Sequence, residues 1–209
     1  MDGELGRLAV ILFEEGEQGL STEFLPDLSW TDEKLRSDWL EPFLGDGHRD
    51  PLRPWLRARM PGFPAYARGL ATSWRPDDLV VAEEWSHWYE TEPSMVEAGA
   101  RLISPLAFDC RQCHALGDLP PSGDERSQIA LGINFVEIGH RLRPRYFQHW
   151  MADPLSIDPL TKMPQYSENG LTTKIETEFD GRAPEQFNAI LHYLRQVARD
   201  DEASRSDRE

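Results

Sequence analysis

The chain has 209 residues and a mass of 24.0 kDa, which is enough for one large domain or two small ones. Its mean hydropathy is -0.58 and its formal net charge at pH 7 is -15. This acidity disfavours nucleic acid and anionic membrane surfaces as partners, because both require clustered cations, and it leaves a basic protein partner open. No apolar run approaches the length of a membrane span, and the first residues carry no signal-peptide pattern.

Helical periodicity predicts most of the secondary structure. In chain order it predicts helices at residues 4–15, about 32–45, 94–104, 134–152 with a break near Pro144, and 184–199. Thr31 is the expected N-cap of the second helix, and Pro184 is a favourable first-turn residue for the last one. The charged residues 200–209 are predicted to form a disordered tail. The sequence therefore predicts a mainly α fold.

Two stretches of the chain resemble each other. Beginning at Leu35 and at Leu142, each reads Leu-Arg, an aromatic helix, an aspartate, a loop with Asp-Pro-Leu, a basic residue, Met-Pro and an aromatic residue. Because these matches occur in the same order, we predict two related small helical domains in tandem. Their expected bounds are residues 1–75 and 92–199, with residues 76–91 as the segment between them.

Both cysteines of the chain lie in the pentapeptide CRQCH, residues 110–114. Three chemistries use such spacing: a redox dithiol, half of a zinc site, and covalent haem attachment. Structural zinc usually needs a second Cys or His pair, and a thioredoxin-like dithiol usually follows a strand, whereas CRQCH follows a predicted helix. Haem attachment is therefore favoured, with thioethers at Cys110 and Cys113 and with His114 as the proximal iron ligand. Zinc and dithiol chemistry remain the alternatives.

From this motif onward the chain resembles the class I monohaem cytochrome c family. A short helix with EAGARL precedes CRQCH, a middle helix and a KMPQY loop follow it, and FNAILHYLRQV forms the last helix, so that the resemblance covers about residues 92–199. More narrowly, the repeated pattern is similar to cytochrome domains of planctomycete-type multidomain cytochromes. The resemblance implies that Met163 is the distal iron ligand and that Gly99 lets the first helix cross the last closely, near Tyr193. Where the family usually has Pro-Asp-Leu, this chain reads GINF, which leaves the acceptor for the His114 ring N–H open.

The resemblance also implies a function. It implies a one-electron carrier with a single covalent haem c, a periplasmic or other extracytoplasmic location, and redox proteins as partners. No catalytic constellation is evident, so an electron-transfer module is expected rather than an enzyme. The alternatives are a haem-based ligand sensor or peroxidase-like enzyme, in which the sixth iron position is open or His140 or His149 replaces Met163, and an interaction scaffold within a larger redox protein.

The first copy lacks a haem motif, since residues 1–35 contain neither Cys nor His. Two accounts fit this observation: the copy has lost its haem, or the chain begins after the motif. Met60 occupies the position of the distal ligand in this copy, and it is expected to fill a gap in the core. We therefore predict a degenerate, haemless first domain followed by a haem-binding second domain.

Overall fold

The computed structural model of the chain describes residues 28–47, 61–73, 91–124 and 131–207. The chain divides into two compact units, Met1–Trp30 and Thr31–Glu209. The predicted helix at residues 4–15, Met60 and nearly all of the predicted connecting segment at 76–91 lie outside the described residues. The predicted domain bounds therefore stay a prediction, although parts of both sequence copies lie within the second unit.

The described residues confirm a mainly helical fold, and no strand occurs among them. In chain order the α-helices are α1 (Thr31–Lys34), α2 (Ser37–Asp46), α3 (Ala67–Ser73), α4 (Pro93–Leu102), α5 (Pro144–Ala152), α6 (Pro154–Ile157) and α7 (Ala183–Ser206). Three short helical turns accompany them, at Cys110–Gln112, Phe135–Glu137 and Phe179–Gly181. The sequence predicts a helix over residues 134–152 with a break near Pro144, and the part from Pro144 onward is confirmed as α5. The part before it is wrong, because residues 134–143 contain only the short turn Phe135–Glu137.

Helices α4 and α7 cross closely at Gly99. A Cβ atom at this position would lie 2.2 Å from the carbonyl oxygen of Ala189 and 2.7 Å from Cβ of Tyr193. Only a glycine fits there, because any side chain would overlap the backbone of the facing helix. The crossing that the family resemblance implies is therefore present, and Tyr193 takes part in it.

A buried histidine ties the start of α4 to α7. The Nδ1 atom of His192 lies 3.3 Å from the backbone nitrogen of Glu92, so the neutral ring accepts a hydrogen bond from that N–H. Burial lowers the pKa of His192, the positive charges of Arg195 and Arg199 lower it further, and Glu92 acts in the opposite direction. The contact therefore depends on an uncharged imidazole.

The last helix is longer than the sequence predicts. It begins at Ala183, with Pro184 in its first turn, and it continues through Ser206 rather than ending near residue 199. Residues 200–206, predicted to be part of a disordered tail, are thus helical. The Arg205 side chain reaches Asp201 at 2.7 Å one turn away, and such i,i+4 pairs support a helix that tertiary packing has already nucleated.

The first-copy helices form a small hydrophobic cluster. Its buried members are Leu40, Leu44, Ala67 and Ala71, and Leu35, Trp39, Phe43 and Leu70 pack against it. The sequence predicts a single helix over residues 32–45, but the chain forms α1 and α2 instead, and Thr31 is the first helical residue rather than the cap. The interruption lies at Leu35 and Arg36, where Arg36 has extended dihedral angles (φ -73°, ψ 137°).

The two sequence copies contact each other at this interruption. Leu35 and Leu142, the residues at which the two copies begin, form an isolated antiparallel β-bridge. The residue after each leucine donates its backbone N–H to the carbonyl oxygen of the residue before the other leucine, at 3.0 and 2.9 Å. Equivalent positions of the two copies therefore face each other across a local two-fold axis.

Two cation–π contacts repeat this symmetry. The ammonium nitrogen of Lys34 lies 5.5 Å from the ring centroid of Tyr146, and the guanidinium carbon of Arg141 lies 5.7 Å from the ring of Trp39. In each contact the cation directly precedes the leucine of one copy, and the aromatic ring lies four residues after the leucine of the other. The two copies thus exchange the same interaction in both directions.

Candidate functional site

The end of α4 positions the CRQCH segment. The backbone N–H of Phe108 donates to the carbonyl of Leu102 at 3.0 Å, and that of Cys110 donates to Ile103 at 3.2 Å. Asp109 adopts a left-handed conformation (φ 52°, ψ 41°), which turns the chain into the helical turn Cys110–Gln112. The motif is therefore attached to the helix that crosses α7 at Gly99.

The imidazole of His114 has a defined orientation. Its Nδ1 atom lies 2.7 Å from the carbonyl oxygen of Ile133, and because a carbonyl only accepts, Nδ1 carries the proton and Nε2 is the unprotonated nitrogen. Phe135 stacks on the ring, with centroids 4.8 Å apart and an interplanar angle of 17°. A Cβ on Gly132 would lie 2.2 Å from Cε1 of His114, so glycine gives the ring its space. The GINF segment therefore supplies the acceptor that the sequence left open.

Asn134 holds this acceptor segment in place. Its Oδ1 accepts the backbone N–H of Gly117 at 3.0 Å, and its Nδ2 donates to the carbonyl of Gly117 at 2.8 Å. Gly132 adds a backbone bond, donating its N–H to the carbonyl of Cys113 at 2.8 Å. Three hydrogen bonds thus fix the loop whose Ile133 carbonyl orients His114.

Met163 lies on a restrained loop after α6. The N–H of Leu160 donates to the carboxylate of Asp158 at 2.9 Å, and the N–H of Met163 donates to the hydroxyl of Thr161 at 3.2 Å. The Nε1–H of Trp150, on α5, lies 2.8 Å from the Met163 sulfur. The two backbone hydrogen bonds restrain the loop itself, and the contact between Met163 and Trp150 links it to α5.

One cavity brings the four predicted site residues together. It has a volume of about 300 Å³, and Cys110, Cys113, His114 and Met163 all line it. That volume lies at the lower end of the usual range for ligand pockets. The remaining wall is mostly apolar and includes Phe108, Phe135, Ile138, Leu142, Phe147, Met151, Ile190 and Leu194. The site therefore combines thiols, an imidazole and a thioether in a largely hydrophobic enclosure.

Tyr166 connects the Met163 loop to the CRQCH segment. Its hydroxyl donates to the carbonyl of Phe108 at 3.2 Å, and the two rings lie 4.7 Å apart. Burial raises the pKa of the Tyr166 hydroxyl, so that it stays protonated and remains a donor. Sequence reasoning did not single out this residue, because its contact spans 58 positions along the chain.

The thiols of the motif are protonated at neutral pH. Burial is the main cause that raises the pKa of Cys110 to about 12, and burial followed by the charge of Asp109 raises that of Cys113. Reactive dithiols require a lowered pKa, since the thiolate is the nucleophile. The surroundings of these cysteines therefore differ from those of a redox dithiol.

The two histidines considered as alternative ligands make their contacts outside the cavity. His149 contacts the hydroxyl of Ser156 at 3.0 Å, and His140 lies 3.4 Å from the carboxylate of Glu202. Neither histidine is among the cavity-lining residues of the described part of the chain. Met163, by contrast, lies in the cavity wall.

No protein-family model matches the chain, and neither the curated proteins nor the solved structures include a significant match. Within the described ranges, no group of three or more His, Cys, Asp or Glu side chains is arranged to hold a metal ion. In the same ranges no helix is both long and apolar enough to cross a membrane.

Proposed function

We propose that the chain is a c-type cytochrome that carries one electron at a time on a single covalent haem c. The observation that carries this proposal is the shared cavity, in which the Cys110 and Cys113 thiols and the free Nε2 of His114 accompany the Met163 thioether. Two thiols three positions apart followed by histidine match covalent haem attachment, and a buried apolar wall suits a porphyrin. When bound, the haem would supply iron that alternates between two oxidation states.

The protein's own residues would set the properties of that iron. His114 is held as the neutral Nδ1–H tautomer by Ile133, so its Nε2 can bind iron without first losing a proton. Met163 would provide a soft, neutral sulfur ligand, which favours reduced iron and raises the reduction potential. With His114 and Met163 both holding the iron, no position would remain for a substrate, and this would suit electron transfer rather than substrate chemistry.

The test is maturation of the full chain with a haem c attachment system, followed by a pyridine haemochrome assay and absorption spectra of both oxidation states. We expect one haem c per chain and the weak far-red band of sulfur bound to ferric iron. Met163→Leu should abolish that band, whereas the matched variant Met151→Leu, in the wall of the same cavity, should keep it. Absence of covalent haem from the unmodified chain would reject the proposal and return CRQCH to the zinc and dithiol alternatives.

Carbon monoxide separates the electron carrier from the ligand sensor or peroxidase-like enzyme. An iron with two stable protein ligands should bind carbon monoxide slowly and incompletely in its reduced form at neutral pH. Rapid and complete binding would favour the sensor or enzyme. Since haem c is attached outside the bacterial cytoplasm, the proposal includes an extracytoplasmic location and redox proteins as partners, with a basic partner surface suited to the net charge of -15.

A further inference from the structure

The sulfur of Met163 has a hydrogen-bond donor of its own. The indole Nε1–H of Trp150 lies 2.8 Å from Sδ. An indole nitrogen only donates, and a donor in an apolar cavity is costly to leave without a partner. Tyr146, one turn earlier on α5, stacks on the Trp150 ring with centroids 6.2 Å apart and an interplanar angle of 18°, which limits the directions the indole can take.

We propose that Trp150 is the positioning residue that selects Met163 as the distal ligand and raises the reduction potential of the iron. This inference rests on the proposed function. A thioether sulfur has two lone pairs, so the indole N–H can occupy one and leave the other for the metal. The hydrogen bond withdraws electron density from the sulfur. This weakens sulfur donation to ferric iron, which depends on it more than ferrous iron does, and so it favours the reduced state.

The cavity wall shows why a selecting contact matters. Two thioethers line it, Met151 on α5 and Met163 on the loop. The backbone of the loop is restrained at Asp158 and Thr161, but an unbranched methionine side chain still has several rotamers of similar energy. Of the two sulfurs, that of Met163 is the one in contact with the Trp150 N–H. Trp150 thus distinguishes two ligands of the same chemistry.

The experiment uses the full-length, haem-loaded protein and two variants that remove the N–H. Trp150→Phe keeps an aromatic ring, and replacement of Trp150 by 3-benzothienylalanine keeps the shape of the indole with sulfur in place of N–H. Phe147→Leu is the control, since it disturbs the same cavity wall without removing a donor. We expect both Trp150 variants to shift the equilibrium toward ferric iron about three- to tenfold, the size expected for the loss of one hydrogen bond. At 59 mV per tenfold this is a midpoint potential lower by about 30–60 mV. The far-red sulfur band should move in both Trp150 variants and stay in place in the control.

The outcomes separate this inference from the proposed function. If the unmodified protein has the far-red band and the benzothienylalanine variant keeps its potential, the role of Trp150 is refuted and the His114/Met163 cytochrome stands. If Phe147→Leu lowers the potential as much as the Trp150 variants do, the cause is cavity packing and the inference also fails. Covalent haem without the far-red band in the unmodified protein would overturn both.

Discussion

The crossing of α4 and α7 can be tested with a single methyl group. In Gly99→Ala, the new Cβ would lie 2.2 Å from the carbonyl oxygen of Ala189, whereas ordinary contact begins at 3.4 Å, so the helices must separate by more than 1 Å. Overpacking of this kind costs about 1–3 kcal/mol, and the cost is greatest where the obstacle is backbone. Alanine recovers at most ~1 kcal/mol through its better helix propensity. We expect a net loss of about 2 kcal/mol in the free energy of unfolding.

Gly69 provides the matched control. It also lies inside a helix, α3, but no atom comes within 4 Å of the position of its missing Cβ. Gly69→Ala should therefore gain up to ~1 kcal/mol, and the two variants should differ by about 3 kcal/mol. Urea denaturation followed by circular dichroism and by tryptophan fluorescence measures this difference. Equal stability of the two variants would show that the helices do not meet closely at Gly99.

Three further changes test other parts of the molecule. Gly132→Ala should displace the His114 ring, because its Cβ would lie 2.2 Å from Cε1. In the haem-loaded protein of the proposed function, the visible bands of low-spin iron should then be lost, whereas Gly69→Ala should leave them unchanged. The folded-state pKa of His192 is lowered below the usual value of about 6.5, so the unfolded chain takes up this proton first as the pH falls. The contribution of His192 to the free energy of unfolding should therefore be fully present above about pH 6.5 and decline below it. Urea titrations at several pH values should show a smaller decline in His192→Gln. A double-mutant cycle with Lys34→Met and Tyr146→Leu should give a coupling energy of about 0.5–1 kcal/mol, and additive effects of the two substitutions would show that the cation does not interact with the ring.

The sequence identified several of the residues that line the cavity, because they lie in contiguous segments. CRQCH is one uninterrupted segment, and the family resemblance placed Met163 opposite it; both line the same cavity. The close approach at Gly99 also followed from the resemblance and is present. Local spacing and a known order of motifs are sufficient for such features, because each is encoded within a few residues.

The contacts that orient these side chains depend on distant segments and were not predictable. The acceptor for His114 is the backbone carbonyl of Ile133, and every residue has a carbonyl, so the side chain at that position carries no signal. Its neighbours have the specific roles: Gly132 leaves space for the imidazole because it has no side chain, and Asn134 holds the segment through two hydrogen bonds to Gly117. The contact of the Trp150 N–H with Met163 also depends on tertiary structure, because it spans a loop whose path the sequence does not specify.

The sequence predicted a helix limit correctly where a local residue preference determines it. It failed where a tertiary contact determines the limit. Pro144 begins α5 as expected, since proline favours the first turn. At Leu35 the pattern predicts an uninterrupted helix, yet the chain extends there to pair with Leu142. Tertiary pairing outweighs the modest helix propensity of a few residues.

The pairing at Leu35 and Leu142 has a consequence for the ancestry of the chain. Each copy contributes a cation before its leucine and an aromatic ring four residues after it, so one copy contains both complementary parts of the contact. A surface of this kind is self-complementary, as in an isologous dimer with two-fold symmetry. The arrangement is the one expected when a gene for a self-associating module is duplicated and the products are joined in one polypeptide. A duplication of this kind would leave each copy free to change its side chains as long as the contact was kept, and the lysine–tyrosine and arginine–tryptophan pairs are chemically equivalent in this sense.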